Sequence, residues 1–220
     1  MITTAVFDLD GTLLDTVPDL TQAMSHAMQR MGYAPVTADQ SRAYIGNGIK
    51  MFAKRAISGS YETDAPDDKA DEAVKYFKEF YAQHLTDGTR PYPGMAELLD
   101  RLKNDGIRTA VLSNKYDAAS KYIINNFFPG VFDCVLGESE ICPRKPDPAG
   151  FLLICKTLGC DPDSAVMIGD SPADVTVAKN AGARSVSVCW GYRSEEILKG
   201  SGAERFAHTP EELYDVISSL

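Results

Sequence analysis

Thr4-Ala5-Val6-Phe7-Asp8-Leu9-Asp10-Gly11-Thr12 decides how the rest of the chain is read. Residues 4–7 form a short apolar run of small and β-branched character, the pattern of a strand buried on both faces. The run ends in two carboxylates, Asp8 and Asp10, one residue apart. Gly11 permits a sharp turn, and Thr12 supplies a hydroxyl and a backbone N–H. Two acids at the carboxyl end of a buried strand are costly unless a positive charge meets them. Magnesium is the simplest partner, a hard cation that takes oxygen ligands and keeps waters and substrate phosphate. Taken alone, the pentapeptide also reads as an Asp-Gly turn flanked by solvated carboxylates. The later segments decide between the two.

Immediately downstream, Thr16-Val17-Pro18-Asp19 reads as a helix start, with an N-cap threonine, an early proline and an acid three residues on. Leu20, Met24, Ala27 and Met31 recur at helical spacing, and Gly32 stops the helix. Thr37 with Gln40 forms a second capping box. After Gly46-Asn47-Gly48, Ile49, Phe52, Ala53, Ala56 and Ile57 mark another helix, and Ala70, Val74, Phe77 and Tyr81 a fourth. The stretch to Leu85 is therefore expected to be helical, with no strand signal.

From Pro91 onward, strands and helices alternate. The expected strands are Arg108 to Leu112, Phe132 to Leu136, Ala165 to Ile168 and Ser185 to Cys189. The helices between them carry Leu98, Leu99 and Leu102, then Tyr122, Ile123 and Phe127, then Phe151, Leu152, Ile154 and Leu158. Thr209-Pro210-Glu211-Glu212 caps a last helix. This alternation means an α/β fold, a Rossmann-like parallel sheet with helices on both faces. The first strand needs neighbours, and only the second half has strands. The expected organisation is a core of residues 1–15 and 86–220, with residues 16–85 as an inserted all-helical domain. Ligands in such sheets bind outside the carboxyl ends of the strands. Asp8, Asp10, Ser113 and Asp170 all fall at expected carboxyl ends.

A length of 220 residues and 44% hydrophobic content allow a large core. A net charge of -9 with no basic run excludes the usual footprint of a nucleic-acid binder. Five cysteines, Cys134, Cys142, Cys155, Cys160 and Cys189, form no C-x-x-C pair, and an odd number in apolar surroundings suits reduced thiols in the cytoplasm. His26, His84 and His208 are scattered, so no zinc site is expected. No segment has the apolar length of a membrane span, and the first residues lack the basic start of a secretory leader. A membrane partner is therefore not expected, and the sequence is silent on whether the chain is a monomer or a dimer.

Hydrolysis of a phosphate ester needs a nucleophile, charge neutralisation, positioning and a proton for the leaving group. Asp8 suits the nucleophile, forming an aspartyl-phosphate. Asp10 is placed to protonate the leaving oxygen and then activate water, for which a neighbouring carboxylate would hold its proton. Asp170 completes a Mg²⁺ site with Asp8 and Asp10. Ser113 suits a hydrogen bond to a phosphoryl oxygen, and Lys145 suits neutralisation of its charge. Each has a plainer reading: Ser113 as a helix N-cap, Lys145 as a solvated loop charge, and Asp174 as the partner of Ser171 in a capping box, with a supporting role towards the metal also compatible. Gly46-x-Gly48 is no dinucleotide fingerprint, because Met51 stands where a third glycine belongs.

Together these segments resemble the haloacid dehalogenase-like superfamily of phosphohydrolases. The residues that carry this are Asp8-Leu9-Asp10-Gly11-Thr12-Leu13, Ser113, Lys145 within Lys145-Pro146-Asp147-Pro148, and Gly169-Asp170 through Asp174. The resemblance implies Asp8 as nucleophile, and Asp10 as an acid/base that also offers its backbone carbonyl to Mg²⁺. It also implies that the helical stretch is a cap. Asp10 argues for phosphate chemistry, since the dehalogenases proper lack that aspartate. Gly46-Asn47-Gly48, Ser113-Asn114-Lys115 and Trp190-Gly191-Tyr192 are similar to the phosphoglycolate phosphatase subgroup. The implied substrate is 2-phosphoglycolate; pyrophosphate, a sugar phosphate, or a β-phosphoglucomutase-like transfer are the alternatives. The expected substrate-binding residues are Thr12 and Asn114 near the phosphate, and Gly46, Asn47, Gly48 and Lys50 in the helical stretch. There, turn N–H groups and a base (Lys50 or Arg42) can meet a small carboxylate. An interhelical turn with solvated bases is the alternative.

Overall fold

The computed structural model describes residues 1–220. In chain order its elements are β1 (Thr4–Phe7), β2 (Leu14–Asp15), α1 (Val17–Arg30), α2 (Ala38–Tyr44), α3 (Ile49–Ser58) and α4 (Asp67–Tyr81). Then come β3 (Arg90–Pro91), α5 (Met95–Asn104), β4 (Arg108–Tyr116), α6 (Asp117–Phe127), β5 (Cys134–Glu138) and α7 (Ala149–Leu158). The last are β6 (Ala165–Gly169), α8 (Pro172–Ala181), β7 (Arg184–Val188), α9 (Glu195–Gly200), β8 (Phe206–Ala207) and α10 (Pro210–Ser218). Two compact units result, Met1–Asp15 with Pro91–Leu220, and Thr16–Arg90. All five cysteines are free, and no helix is long and apolar enough to cross a membrane.

The first unit is built on a six-stranded parallel sheet of order β5-β4-β1-β6-β7-β8. The first strand of the chain is thus an interior strand, which is why Ala5, Val6 and Phe7 are fully buried. Each such side chain larger than alanine contributes about 1.5–3 kcal/mol by leaving water. Phe7 lies level with Val111 on β4 and Ile168 on β6. That register brings the residues that follow each strand to one edge of the sheet. Val6, Ala110, Leu112 and Met167 pack under Phe151 and Ile154 of α7 and Val177 of α8. Their strand neighbours point to the opposite face and are equally buried. There α5 packs on β4 and α10 on β7.

Two strands differ from the sequence expectation by more than one residue, while β6 and β7 differ by one at one or both ends. β4 does not stop at Leu112 but runs to Tyr116, because Tyr116 pairs with Glu138 after a register shift. β5 begins at Cys134 instead of Phe132. The Phe132 ring is instead engaged edge-on with Phe7 and Phe128, at centroid distances of 6.2 and 5.9 Å. The sequence reading passed over α9, of six residues, and β2, β3 and β8, of two residues each, all too short to show a period.

The second unit is four helices. α1 packs along α4, and α3 also lies against α4. Phe77 sits at their centre, edge-on to Phe52 and tilted against Tyr81. Thr37 and Gln40 close the expected capping box on α2. The box expected at α1 does not form. Thr16 makes no side-chain cap bond. Asp19 is buried, and its carboxylate accepts the Gly88 N–H (2.6 Å), the Thr89 N–H (2.8 Å) and the Thr89 hydroxyl (2.6 Å). It thereby ties the start of α1 to the end of the unit, about 70 residues away in sequence.

Candidate active site

The edge of the sheet where β1, β4 and β6 end gathers most of the expected first-unit residues. Asp8 follows β1 directly, and its Oδ1 accepts the Leu9 N–H at 2.7 Å. The Leu9 carbonyl then accepts the Leu13 and Leu14 N–H groups, both at 3.1 Å, which folds the chain back at once. Gly11 is required in this turn for two reasons. Its φ is +83°, and an added Cβ would stand 2.4 Å from Asp170 Oδ2. Gly191 presses on the same aspartate from the other side, with an added Cβ 2.3 Å from Asp170 Cβ.

Lys145 stands between two acids. Its Nζ lies 2.9 Å from Asp8 Oδ1 and donates to Asp174 Oδ1 at 2.7 Å, and all three side chains are buried. Burial alone would lower the ammonium's pKa, but the Asp174 and Asp8 charges outweigh it and raise it. The plainer reading of Lys145 as a solvated loop charge does not hold. Asp174 acts twice: its Oδ2 also accepts the Ser171 N–H (3.0 Å) and hydroxyl (2.6 Å) at the start of α8. The Asn114 side chain, expected near the phosphate, clasps the Lys145 backbone, accepting the N–H at 2.7 Å and donating to the carbonyl at 3.2 Å. It orients the lysine.

Asp170 follows β6. Its Oδ2 accepts the Tyr192 N–H at 2.6 Å, and its Oδ1 accepts the Thr12 hydroxyl at 3.4 Å. Burial, reinforced by the Asp174 charge, pushes its carboxyl up to about 7. Burial also raises Asp8 well above the usual carboxylate range, against the pull of Lys145. Asp8, Asp170 and Asp174 each bring an oxygen within 4.8 Å of the other two. Three buried carboxylates face one buried ammonium, an excess of two negative charges when all are ionised. Such an all-oxygen set suits a hard divalent cation.

Asp10 is not part of that set. The cluster takes Asp174 in its place, and the Asp10 carboxylate lies 3.2 Å from Lys115 Nζ. That ion pair sets a buried ammonium beside the Asp10 carboxylate. Ser113 is buried, and its Oγ accepts the Lys115 N–H at 3.2 Å. The Thr12 hydroxyl is directed to Asp170, and its carbonyl accepts the Trp190 indole N–H at 3.0 Å. Lys115, Trp190 and Tyr192 carried no assigned role in the sequence, although the triplets containing them were its subgroup marks.

Residues expected in the substrate site from the helical stretch lie in the second unit. Gly46 and Gly48 have φ of +115° and +82°, and Gly48 caps α3. The Asn47 side chain accepts from Arg55 Nη1 at 3.0 Å. Lys50 Nζ is shared between Asp71 (2.8 Å) and Asp67 (3.3 Å), and Arg42 pairs with Asp39. Both bases are thus matched by acids of their own unit.

The description haloacid dehalogenase-like hydrolase matches residues 5–188. The chain belongs to this family. It is 36% identical over 190 residues to phosphoglycolate phosphatase 1 of Pseudomonas aeruginosa, covering 85% of this chain and 69% of that one. It is 34% identical over 215 residues to the phosphoglycolate phosphatase of Vibrio parahaemolyticus, covering 96% and 94%. A crystal structure from Lactobacillus delbrueckii, provisionally named phosphoglycolate phosphatase, superposes with a TM-score of 0.92 at 33% identity and 98% coverage of both chains. The chain therefore falls in the phosphoglycolate phosphatase-like subgroup and is an enzyme of the phosphatase class.

Proposed function

We propose that the chain hydrolyses 2-phosphoglycolate in a Mg²⁺-dependent reaction through an aspartyl-phosphate on Asp8. The observation that carries this is the grouping of Asp8, Asp170 and Asp174 around Lys145, with two negative charges in excess. Asp8, Asp170 and the Asp10 carbonyl would hold Mg²⁺, with Asp174 supporting the site through Lys145. When bound, the ion supplies charge neutralisation for the phosphoryl oxygens. The substrate is supported by the names of the relatives at 34–36% identity.

In this reading Leu9 N–H and Lys145 hold Asp8 by Oδ1, which fixes the carboxylate for attack on phosphorus. An Asp8 oxygen–phosphorus bond forms, and the bond to the leaving alkoxide breaks. Asp10 gives that oxygen a proton, then takes one from water, which attacks phosphorus and frees Asp8 and inorganic phosphate. Lys145 and the Ser113 hydroxyl neutralise and bond the phosphoryl oxygens. The helical unit is the cap that excludes water and selects the ester, supported by its insertion directly after the nucleophile segment. Reduced thiols suit a cytoplasmic site of action.

The test is a panel of 2-phosphoglycolate, pyrophosphate, hexose phosphates and an aryl phosphate, assayed for released phosphate with Mg²⁺ and with excess chelator. The expected result is the highest kcat/KM on 2-phosphoglycolate, and no turnover in chelator. A preference for pyrophosphate or hexose phosphates would overturn the substrate, and undiminished turnover in chelator would overturn the metal.

A further inference from the structure

Away from this site, β7 and β8 end side by side. Val188 pairs with Ala207, so Cys189 and His208 leave the sheet as neighbours. Cys189 is tied there by its N–H, which donates to the Ala207 carbonyl at 2.9 Å. The His208 N–H donates to Glu212 Oε2 at 2.8 Å. The third member comes from the first residue of α9. Glu195 Oε2 lies 3.9 Å from Cys189 Sγ and 3.7 Å from His208 Nε2. All three donor atoms fall within 4.8 Å of one another. Three separate segments thus deliver one sulfur, one nitrogen and one oxygen to a single point.

We propose that Cys189, Glu195 and His208 form a second metal site, for a borderline-soft divalent cation of the zinc class. A thiolate, a carboxylate and a neutral imidazole carry two negative charges and match such an ion, and the mixed sulfur and nitrogen set disfavours Mg²⁺. Water completes a tetrahedral shell. Binding exchanges the Cys189 thiol proton for the metal, and the proton goes to solvent. Lys199 Nζ, 2.5 Å from Glu195 Oε1, engages the other carboxylate oxygen and would compete electrostatically with the cation. Cys189 directly precedes Trp190-Gly191-Tyr192, whose Tyr192 N–H holds Asp170, so the ion would brace the base of that segment.

Cobalt(II) is the probe, titrated with reductant into the full chain in excess Mg²⁺. The expected result is one equivalent giving the thiolate-to-cobalt charge-transfer band, displaced by Zn²⁺. An all-oxygen site at Asp8 and Asp170 gives no such band, so the two sites are distinguished. The band should vanish in Cys189→Ser, and affinity should fall at least about tenfold in His208→Ala, whose side chain is exposed. Lys199→Ala should tighten binding several-fold. No thiolate band, a band that survives Cys189→Ser, or affinities unchanged in both His208→Ala and Lys199→Ala would overturn the site.

Discussion

Lys145 Nζ donates to Asp174 Oδ1 at 2.7 Å, with both side chains almost completely buried. The same ammonium lies 2.9 Å from Asp8, so Asp174 fixes the lysine that holds the proposed nucleophile. Asp174→Asn keeps the shape and weakens that grip. We expect kcat to fall about 10–100-fold while the far-UV circular dichroism is unchanged. Lys145→Met removes the buried cation between Asp8 and Asp174 and should cost about 3–5 kcal/mol in a denaturant titration without metal. Near-normal kcat in Asp174→Asn would reduce that residue to its capping contact with Ser171.

In the proposed reaction, Asp8→Asn removes the attacking charge, and Asp10→Asn removes the carboxyl that handles the leaving-group proton. Turnover should fall by orders of magnitude in both, with melting temperatures close to the parent. Acid quench during turnover should trap phosphate on the parent and none on Asp8→Asn. Substantial turnover by Asp8→Asn would mean that water attacks phosphorus directly.

Burial raises the Asp170 carboxyl from its usual 3.8 to about 7. Between those values the folded chain binds more protons than the unfolded one, so without metal this group's contribution to stability falls as pH rises. Unfolding midpoints in chelator should therefore drop from about pH 5 to about pH 8. A divalent cation relieves the same repulsion, so added Mg²⁺ should raise the midpoint more at about pH 8 than at about pH 5. A Mg²⁺ shift of equal size at both would sink this account.

Asp19 is a buried carboxylate with three hydrogen bonds at 2.6–2.8 Å. Asp19→Ala leaves the half-buried Gly88 N–H and the buried Thr89 N–H and hydroxyl without it. A loss of about 2–4 kcal/mol is expected, given about 1–3 for each buried polar group left unpaired and partial relief by water. Equilibrium denaturation measures it; a loss below about 1 kcal/mol would mean that water replaces the carboxylate.

Gly48 has φ of +82°, where a β-branched residue is strained. If its turn N–H groups meet the substrate carboxylate, Gly48→Val should lower kcat/KM for 2-phosphoglycolate at least about tenfold. An activated aryl phosphate needs less help from the cap and should be affected much less. Equal loss on both substrates would assign Gly48 to the folding of its own unit.

Much of this was legible along the chain because it is local. Thr4 to Phe7 is apolar on both faces, and the structure makes it an interior strand. The capping box at Thr37 and Gln40 spans three residues and formed as read. Thr16 and Asp19 present the same short pattern, yet Asp19 is drawn to Thr89, because a buried carboxylate goes where most donors converge. Phe132 has a strand-like sequence, but its ring packs with Phe7 and Phe128, and the strand starts two residues later.

What the sequence determined by itself was the set of strand ends and the acids, serine and lysine placed on them, since apolar period and turn chemistry act within a few residues. Only the tertiary structure decided which charges meet. Lys145 reaches Asp174 across 29 residues, Lys115 pairs with Asp10, and Asn114 clasps the Lys145 backbone. His208, scattered from every other histidine along the chain, stands beside Cys189 because β7 and β8 pair in register. Such contacts depend on strand order and register, which chain entropy and core packing settle together over the whole sheet, and no local run of residues encodes them.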